Sequence, residues 1–236
     1  MRALLVRVGA DQTEAGGLWN GPADSKTGRF VYVPIRESCK VNEGFKWNYD
    51  ILNPDLSSMG CRLPDHLKGQ PMHLDPDFSY LTYGDQGVRG SQISEKLKSD
   101  DLLVFYAAFK DVSGDFHLVY ALIGLFVIQR IVPAADIPQK QWYVNAHTRR
   151  VLDRSGDDIV VWGKPKVSGR FDRCIPVGEF RNRAYRVSFA TLEAWGGLYV
   201  KNGYLQRSAR LPEFKNADTF YNWFKRQGVG LIQRNN

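Results

Sequence analysis

A polar loop with two glycines directly follows the first apolar stretch of the chain. It spans residues 11–20 and reads DQTEAGGLWN. Glycines let a ligand approach the backbone, Trp19 can stack on a ring, and Asn20 can read a base edge through paired hydrogen bonds. Asp11 is a candidate acid or base at the end of the preceding predicted strand. A surface turn with a packed Trp19 explains the same pattern equally well.

A second polar group precedes the most apolar part of the chain. Tyr83 can stack on a base, Asp85 can accept a hydrogen bond from a base amino group, and Arg89 can bind a phosphate. The position of Asp85 also makes it a candidate for acid–base catalysis. The alternative is a turn in which Arg89 pairs with Asp85 and Gly84 has a positive φ angle.

A third group combines a histidine with two arginines. His147 is the histidine best suited to proton transfer, because an unperturbed imidazole titrates near neutral pH. Arg149 and Arg150 are candidates for phosphate binding. The alternative is the start of a helix that Asn145 caps, with both arginines in solvent.

The spacing of the remaining histidines does not indicate a metal site. His66, His73 and His117 form no HxxxH or HxH pair. The sequence therefore predicts neither a metal nor a cofactor. Five side chains could still converge in space: Asp11, Asp75, Asp77, Asp85 and His147.

Basic residues also cluster nearer the C-terminus. Lys164 and Lys166 lie in a predicted turn, and Arg207 follows Gln206 in a short polar segment. We interpret Lys164, Lys166 and Arg207 as candidate phosphate-binding residues, and Gln206 as a candidate pocket residue. A solvated surface is the equally plausible alternative. No GxSxG motif is present.

Composition restricts the class of protein. The chain has 236 residues, a formal net charge of +7, 43% apolar residues and 13% aromatic residues. Basic charge and aromatic side chains suit a polyanionic partner with stacking bases, although neither is specific. The 3 cysteines have no CxxC spacing, so we expect no disulfide framework and a reducing, cytoplasmic location. The apolar runs are too short for a transmembrane helix, and we expect no membrane association.

The predicted elements place these groups around a β-rich core. The pattern predicts strands at 3–8, 29–35, 102–109, 117–132 and 159–162, and an edge strand at 183–188. A short helix begins near Ser91, and another covers 145–152. A C-terminal helix at 216–228 carries Phe220, Trp223 and Phe224 on one face. Residues 36–80 show little periodicity and are predicted to form a long irregular insertion in a single domain that spans 1–236.

The central passage resembles a known group of domains. SQISEKLKSDDLLVFYA followed by YALIGLFVIQRIV is similar to the centre of PUA-like domains, which include the ASCH and EVE domains. In that group the turn usually reads Lys-x-Gly-Asp, and here Lys98-Ser99-Asp100-Asp101 occupies it without the glycine. The resemblance implies an α+β fold: a mixed or partly open β barrel flanked by short helices.

A second resemblance spans almost the whole chain. RALLVRVGADQTEAGGLWNGP, LDPDFSYLTYGDQGVRG and GYLQRSARLPEF are similar to the type-three nucleotide-modification-associated domain family of bacteria and phages. That family is linked with systems that modify DNA bases. A PUA-like fold would suit a module that holds a flipped-out base in a pocket.

Three functional hypotheses follow. The first is a protein that recognises a modified base in DNA or a nucleotide, as part of a DNA-modification or phage-conflict system. Trp19, Asn20 and Tyr83 would contact the base, and the basic residues would contact phosphates. The alternative is an enzyme of base or nucleotide modification that uses Asp11, Asp85 and His147 for acid–base chemistry. A basic protein-interaction domain is a third, weaker hypothesis.

Overall fold

The part of the chain that the structure describes contains twelve strands and five α-helices. The structure, a computed structural model, describes residues 1–114, 117–152, 156–205 and 210–236. In chain order the elements are β1 (Ala3–Arg7), β2 (Pro22–Ala23), β3 (Ile35–Arg36), α1 (Asn53–Ser58), β4 (Met72–His73), β5 (Thr82–Asp85), α2 (Gly87–Lys96), β6 (Leu102–Asp111), β7 (Leu118–Pro133), α3 (Ala146–Arg149), β8 (Ile159–Gly163), β9 (Gly169–Pro176), β10 (Gly178–Arg181), β11 (Ala184–Val187), α4 (Phe189–Ala194), α5 (Ala217–Arg226) and β12 (Leu231–Ile232).

The long strands β6 and β7 form the centre of a mixed eight-stranded sheet. The main strand order is β1-β6-β7-β8-β5, and β9 pairs with the first half of β7 while β8 pairs with the second half. β1 runs parallel to β6, whereas β7, β8 and β5 are antiparallel to their neighbours. The predicted strands at 102–109 and 117–132 are therefore confirmed with small changes in their ends.

Strand β7 contains a β-bulge next to Gly124, where its pairing with β9 shifts in register. Before Gly124, Ala121 and Ile123 face one core, and after it Phe126 and Ile128 face the same core. The alternation of side chains therefore changes by one residue at Gly124, as a β-bulge requires. A Cβ atom at Gly124 would lie 2.5 Å from a ring carbon of Phe78. Only glycine fits this close approach without a rearrangement.

Each face of the sheet has its own apolar core. Phe105 of β6 packs with Phe78 and Phe126 on one face. On the other face, Trp195 and Phe220 pack over the sheet. Phe220 belongs to α5, whose first turn is capped by the Asn216 side chain. The predicted C-terminal helix and its apolar face are confirmed.

In the turn before β6, Asp100 occupies the position where PUA-like domains usually have a glycine. Asp100 has a φ angle of 74° and occupies the left-handed region that glycine favours. Asp and Asn tolerate this region better than most residues. The Asp101 carboxylate fixes the turn by accepting hydrogen bonds from the backbone N–H groups of Lys98 and Arg2.

The segment from 36 to 80 is irregular, but it has a core of its own. It contains α1, β3, β4 and two short 3₁₀ turns, at Tyr49–Leu52 and Asp65–Leu67. Tyr49, Leu52 and Leu67 pack with Val31 and Val33 in a separate apolar cluster. The segment is thereby held in place, although most of its backbone is neither helix nor strand.

The α+β class is confirmed, but the sheet does not close into a barrel. β5 and β1 lie at opposite ends of the main strand order and do not pair with each other. The outer edge of β1 is instead covered by the chain near Pro212, whose carbonyl accepts from Leu5 N–H. The structure therefore confirms the mixed sheet but not the mixed or partly open barrel that the resemblance to PUA-like domains implies. The predicted strand at 29–35 is mostly extended chain outside the ladders, with β3 at its end.

Candidate functional site

Two histidines and an aspartate converge beneath the surface of the protein. Nε2 of His73 and Nε2 of His147 each lie 3.9 Å from Oδ2 of Asp75. One ligand atom from each of the three side chains lies within 4.8 Å of the others. The two imidazole rings meet edge to face, with centroids 5.0 Å apart. We call His73, Asp75 and His147 the central triad.

Three separate parts of the chain bring the central triad together. His73 is the last residue of β4, and Asp75 follows two positions later. His147 lies in the first turn of α3, where the Asn145 side chain accepts from His147 N–H and fixes the start of the helix. Strand β5 contacts two of these parts: Gly84 N–H donates to Asp75, and the missing side chain of Gly84 leaves the space that the His147 ring occupies.

A carboxylate contacts Nδ1 of each imidazole, the ring nitrogen that does not face Asp75. Glu37 lies 2.7 Å from Nδ1 of His73, and Asp158 lies 2.5 Å from Nδ1 of His147. Burial alone would raise the pKa of Glu37, but the hydrogen bond from His73 and the nearby Arg150 guanidinium hold it at about 2. The hydrogen bond from His147 likewise lowers the pKa of Asp158.

These carboxylates determine where each imidazole carries its proton. An ionised carboxylate can only accept a hydrogen bond, so Nδ1 of both histidines must donate. Burial lowers the pKa of His73 to about 4, so its ring is neutral near pH 7. In a neutral ring protonated at Nδ1, Nε2 presents a lone pair. Nε2 of His73 therefore directs its lone pair towards Asp75.

Asp75 is a buried carboxylate held by neutral donors. It accepts hydrogen bonds from Gly84 N–H at 2.9 Å and from the Asn145 amide at 2.8 Å. Burial raises the pKa of Asp75 well above its usual range, although both hydrogen bonds oppose this shift. A carboxyl group in such a position is a common feature of functional sites.

Tyr83, Asp85 and Arg89 form a network on the other side of β5. The Tyr83 hydroxyl donates to Asp85 at 2.5 Å, and the Arg89 guanidinium lies 2.9 Å from the same carboxylate. Tyr83 is buried and its ring packs against Phe105, so it is not available for stacking on a base. The alternative that Arg89 pairs with Asp85 is the arrangement observed, with Gly84 in an extended strand.

The two predicted phosphate-binding arginines are engaged with acidic residues. Arg149 is buried and pairs with Asp77 at 2.5 Å, and Arg150 pairs with Glu37 at 3.1 Å. Arg150 also lies 3.1 Å from Nδ1 of His73. Their charges therefore support the acidic residues around the central triad and are not presented to solvent.

Exposed aromatic side chains lie next to Arg149. The Arg149 guanidinium lies over the Trp47 ring at 5.4 Å and donates to the carbonyl of Tyr143. The Tyr143 ring contacts Tyr80, with centroids 5.1 Å apart. Trp47, Tyr80 and Tyr143 are 39%, 40% and 43% exposed. We call these three residues the aromatic rim.

The polar groups of the loop at residues 11–20 form hydrogen bonds and ion pairs within the loop and with the neighbouring sheet. Asp11 is buried and pairs with Arg7, and it accepts from Thr13 N–H at 2.9 Å. The Asn20 amide donates to the carbonyl of Ala108. Trp19 is half-buried against the separate cluster of the 36–80 segment. Asp11 and Asn20 therefore stabilise a turn, as the structural alternative for this loop predicts.

The remaining predicted residues lie elsewhere or outside the described residues. Lys164 follows the last residue of β8 and pairs with Asp100 at 2.6 Å, whereas Asp85 pairs with Ile159 at the first residue of β8. Lys166 is exposed in the turn that leads to β9. These lysines and Asp85 are thus at opposite ends of one strand. Gln206 and Arg207 lie outside the described residues.

The family model of nucleotide modification associated domain 3 matches residues 2–194. The chain belongs to this family. The match contains the central triad together with Glu37 and Asp158, whereas Gln206 and Arg207 follow its end. Membership of the nucleotide modification associated domain 3 family associates the chain with nucleic-acid modification and is compatible with nucleic-acid or nucleotide partners. No curated protein and no solved structure matches the chain significantly.

No helix among the described residues could cross a membrane. The PUA-like arrangement implied by the central passage stays a prediction, because the family match does not extend to that fold. Of the predicted catalytic residues, only His147 belongs to the central triad. Sequence reasoning missed His73 and gave Asp75 no specific role. The available signal was the His-x-Asp spacing at 73–75, which places both side chains on one face of an extended segment.

Proposed function

We propose that this chain is an enzyme of a nucleic-acid modification system and acts on a nucleobase or nucleotide at the central triad. The observation that carries this proposal is the burial of Asp75 between two imidazoles that carboxylates hold in place. Burying ionisable groups without direct pairing costs free energy. Such arrangements are retained at sites where a perturbed ionisable group does chemistry.

The residues around the triad have distinct roles in this proposal. His73, Asp75 and His147 face the reacting atoms and hold or transfer protons. Glu37 and Asp158 are positioning residues, because each acts through the Nδ1 atom of a histidine. This scheme keeps His147 from the predicted acid–base group. It replaces Asp11 and Asp85, whose carboxylates are paired with Arg7 and Arg89.

The aromatic rim supports a nucleic-acid or nucleotide substrate. Every base has a face that can stack on an aromatic ring, so exposed aromatic side chains bind bases without strict sequence preference. Trp47 follows the exposed Lys46, and Tyr143 follows the exposed Lys140 by three positions. Lysines beside stacking residues would contribute phosphate contacts. The net charge of +7 is consistent with this partner.

The proposal is tested by nucleoside analysis after incubation with purified protein. DNA, RNA and mixed nucleotides are incubated with the full chain, digested and analysed by mass spectrometry. We expect a nucleoside of altered mass that disappears with His147→Gln and with His73→Gln. His66→Gln is the matched control, because His66 contacts the Gly17 carbonyl away from the triad. Conversion that persists in both triad variants would refute the assignment of the site.

Recognition of a base without turnover is the second candidate, and the aromatic rim is the observation that favours it. In that case the protein would bind single-stranded DNA or RNA with a strong dependence on salt. Trp47→Ala would weaken binding, while His147→Gln would leave it unchanged. Binding together with unaltered nucleosides in every substrate would favour this function over the enzyme.

A further inference from the structure

The central triad presents electron pairs to the point between its members. Nδ1 of each histidine faces a carboxylate, which leaves Nε2 of His73, Nε2 of His147 and Oδ2 of Asp75 facing one another. Among the described residues, neither Nε2 atom takes part in a hydrogen bond. The distances of 3.9 Å to Asp75 exceed hydrogen-bond length. These three atoms lie within 4.8 Å of one another, so they are placed to share a single cation.

We propose that His73, Asp75 and His147 bind a divalent transition-metal ion. Two imidazoles and one carboxylate form the ligand set of many metal sites in which further positions stay open for water or substrate. The proposal deepens the proposed function, since it supplies that site with a cofactor. It also changes the expectation from sequence, because the spacing of the histidines does not match a local metal motif.

The distances fit an ion after a small adjustment. Bonds of about 2.1 Å in a tetrahedral site separate neighbouring ligand atoms by about 3.4 Å. The two separations of 3.9 Å to Asp75 therefore need to shorten by about 0.5 Å, and the separation between the two histidine nitrogens, which is at most 4.8 Å, by no more than about 1.4 Å. The side chains of all three residues are already buried and ordered by neighbours.

The surroundings contain the second layer that metal-binding histidines usually have. A ligating histidine typically donates its other ring N–H to a carboxylate or carbonyl, which fixes the ring and strengthens the ligand. Glu37 does this for His73 and Asp158 does it for His147. A buried imidazole N–H needs an acceptor in any case, but here the acceptor on both rings is a carboxylate, as metal-binding histidines often have.

The ligand types restrict the ion. Imidazole nitrogen suits Zn²⁺, Fe²⁺, Co²⁺ and related ions, whereas Mg²⁺ and Ca²⁺ prefer sites built from oxygen. We therefore expect a first-row transition metal of the zinc or iron class. Mg²⁺ in large excess should not displace it.

Metal titration of the full chain tests the proposal. The protein is stripped with a chelator and titrated with Co²⁺, whose visible absorption reports nitrogen and oxygen ligands. Zn²⁺ is measured by calorimetry and by elemental analysis after desalting. We expect about one ion per chain. Asp75→Asn and His147→Gln should each weaken Co²⁺ binding by at least about 100-fold, because each removes a ligand.

Two further variants make the test specific. Asp158→Asn should weaken binding by about 10–100-fold and leave the Co²⁺ spectrum similar, because Asp158 acts only through His147. His117→Gln is the control, since this side chain is 61% exposed and lies beside Asp111. It should bind the ion like the wild type. Absence of binding by the wild type, full binding by Asp75→Asn, or an equal loss in His117→Gln would each overturn the proposal.

A measurement on the wild type covers the case of a variant that does not fold. Nitrogen NMR of the histidine rings should show Zn²⁺-dependent shifts at Nε2 of His73 and His147 and none at His117. Unchanged ring signals would overturn the metal site. Metal binding without altered nucleosides would refute only the proposed function. Altered nucleosides in metal-free protein would refute only the metal site.

Discussion

The substitution Gly84→Ala in β5 should disrupt the central triad, because the added methyl group would displace the His147 ring. A Cβ atom at this position would lie 2.2 Å from Cδ2 of His147 and 2.6 Å from Oδ1 of Asn145. Ordinary contact begins near 3.4 Å, so the His147 ring must move by about 1.2 Å. The ring cannot move that far and keep its 2.5 Å contact with Asp158.

The expected cost combines overpacking with a weakened hydrogen bond. Overpacking a filled interior costs about 1–3 kcal/mol, and replacing glycine by alanine returns about 0.4–1 kcal/mol through the unfolded state. The weakened contact with Asp158 adds a cost of about 0.5–1.5 kcal/mol, which offsets the gain from the unfolded state. We therefore expect Gly84→Ala to lower the free energy of unfolding by about 1–3 kcal/mol. Because His147 moves, the affinity for Co²⁺ should fall in the same variant.

Urea denaturation measures this cost, and Gly114→Ala is the matched control. Gly114 has open space where its Cβ would lie, so its substitution should change stability by less than about 0.5 kcal/mol. A double-mutant cycle adds a sharper test. In a His147→Ala background the cost of Gly84→Ala should fall by at least about 1 kcal/mol, since only Asn145 still clashes. Equal costs in both backgrounds would refute the argument that the His147 ring fills this space.

Three other predictions concern the aromatic rim, a helix cap and a buried thiol. Trp47→Ala should weaken binding of a single-stranded oligonucleotide by about 1–3 kcal/mol in a fluorescence titration, whereas Trp19→Ala should not; equal losses would contradict the role of the rim. Asn216→Ala removes the side-chain cap of α5 and should lower the free energy of unfolding in urea by about 1 kcal/mol; an unchanged midpoint would contradict this role. Burial raises the pKa of Cys174 to about 12 from a usual value near 9.0, so the folded thiol stays neutral where the unfolded one ionises. Its contribution to stability is complete below about pH 9 and is lost as the pH rises towards about 12. Iodoacetamide at about pH 9 should modify the exposed Cys39 and leave Cys174 unmodified until urea is added; rapid modification of both would show that Cys174 is accessible.

Local patterns were sufficient to predict the parts of the fold with short-range causes. The apolar runs that became β6 and β7 are continuous because both faces of the sheet are buried. Asn216 and the spacing of Phe220 and Phe224 predicted α5 because capping and helical periodicity act within a few residues. Gly124 predicted the bend in β7 because a residue without a side chain permits a close approach.

The central triad could not be predicted because its contacts are remote in sequence. Glu37 meets His73 across 36 residues and meets Arg150 across 113. No periodicity reports such contacts, and the irregular 36–80 segment supplies most of them. The loop at 11–20 illustrates a second difficulty. Asp11 bonds with Thr13 inside the loop, while Asn20 bonds with the carbonyl of Ala108, 88 residues away, so a hydrogen-bonded turn resembles a ligand site in sequence.

Strand β5 carries the predicted residues Tyr83 and Asp85 on the face opposite to the central triad. Successive residues of a strand face opposite sides. Tyr83 and Asp85 therefore share one face, where they meet Arg89, while Thr82 and Gly84 share the other. On that second face the Thr82 hydroxyl donates to the Val144 carbonyl at 2.6 Å, and Gly84 N–H donates to Asp75. The strand thus contributes to the central triad through its least reactive residues: a hydroxyl that fixes the start of α3, a backbone donor for Asp75, and the space left by a missing side chain.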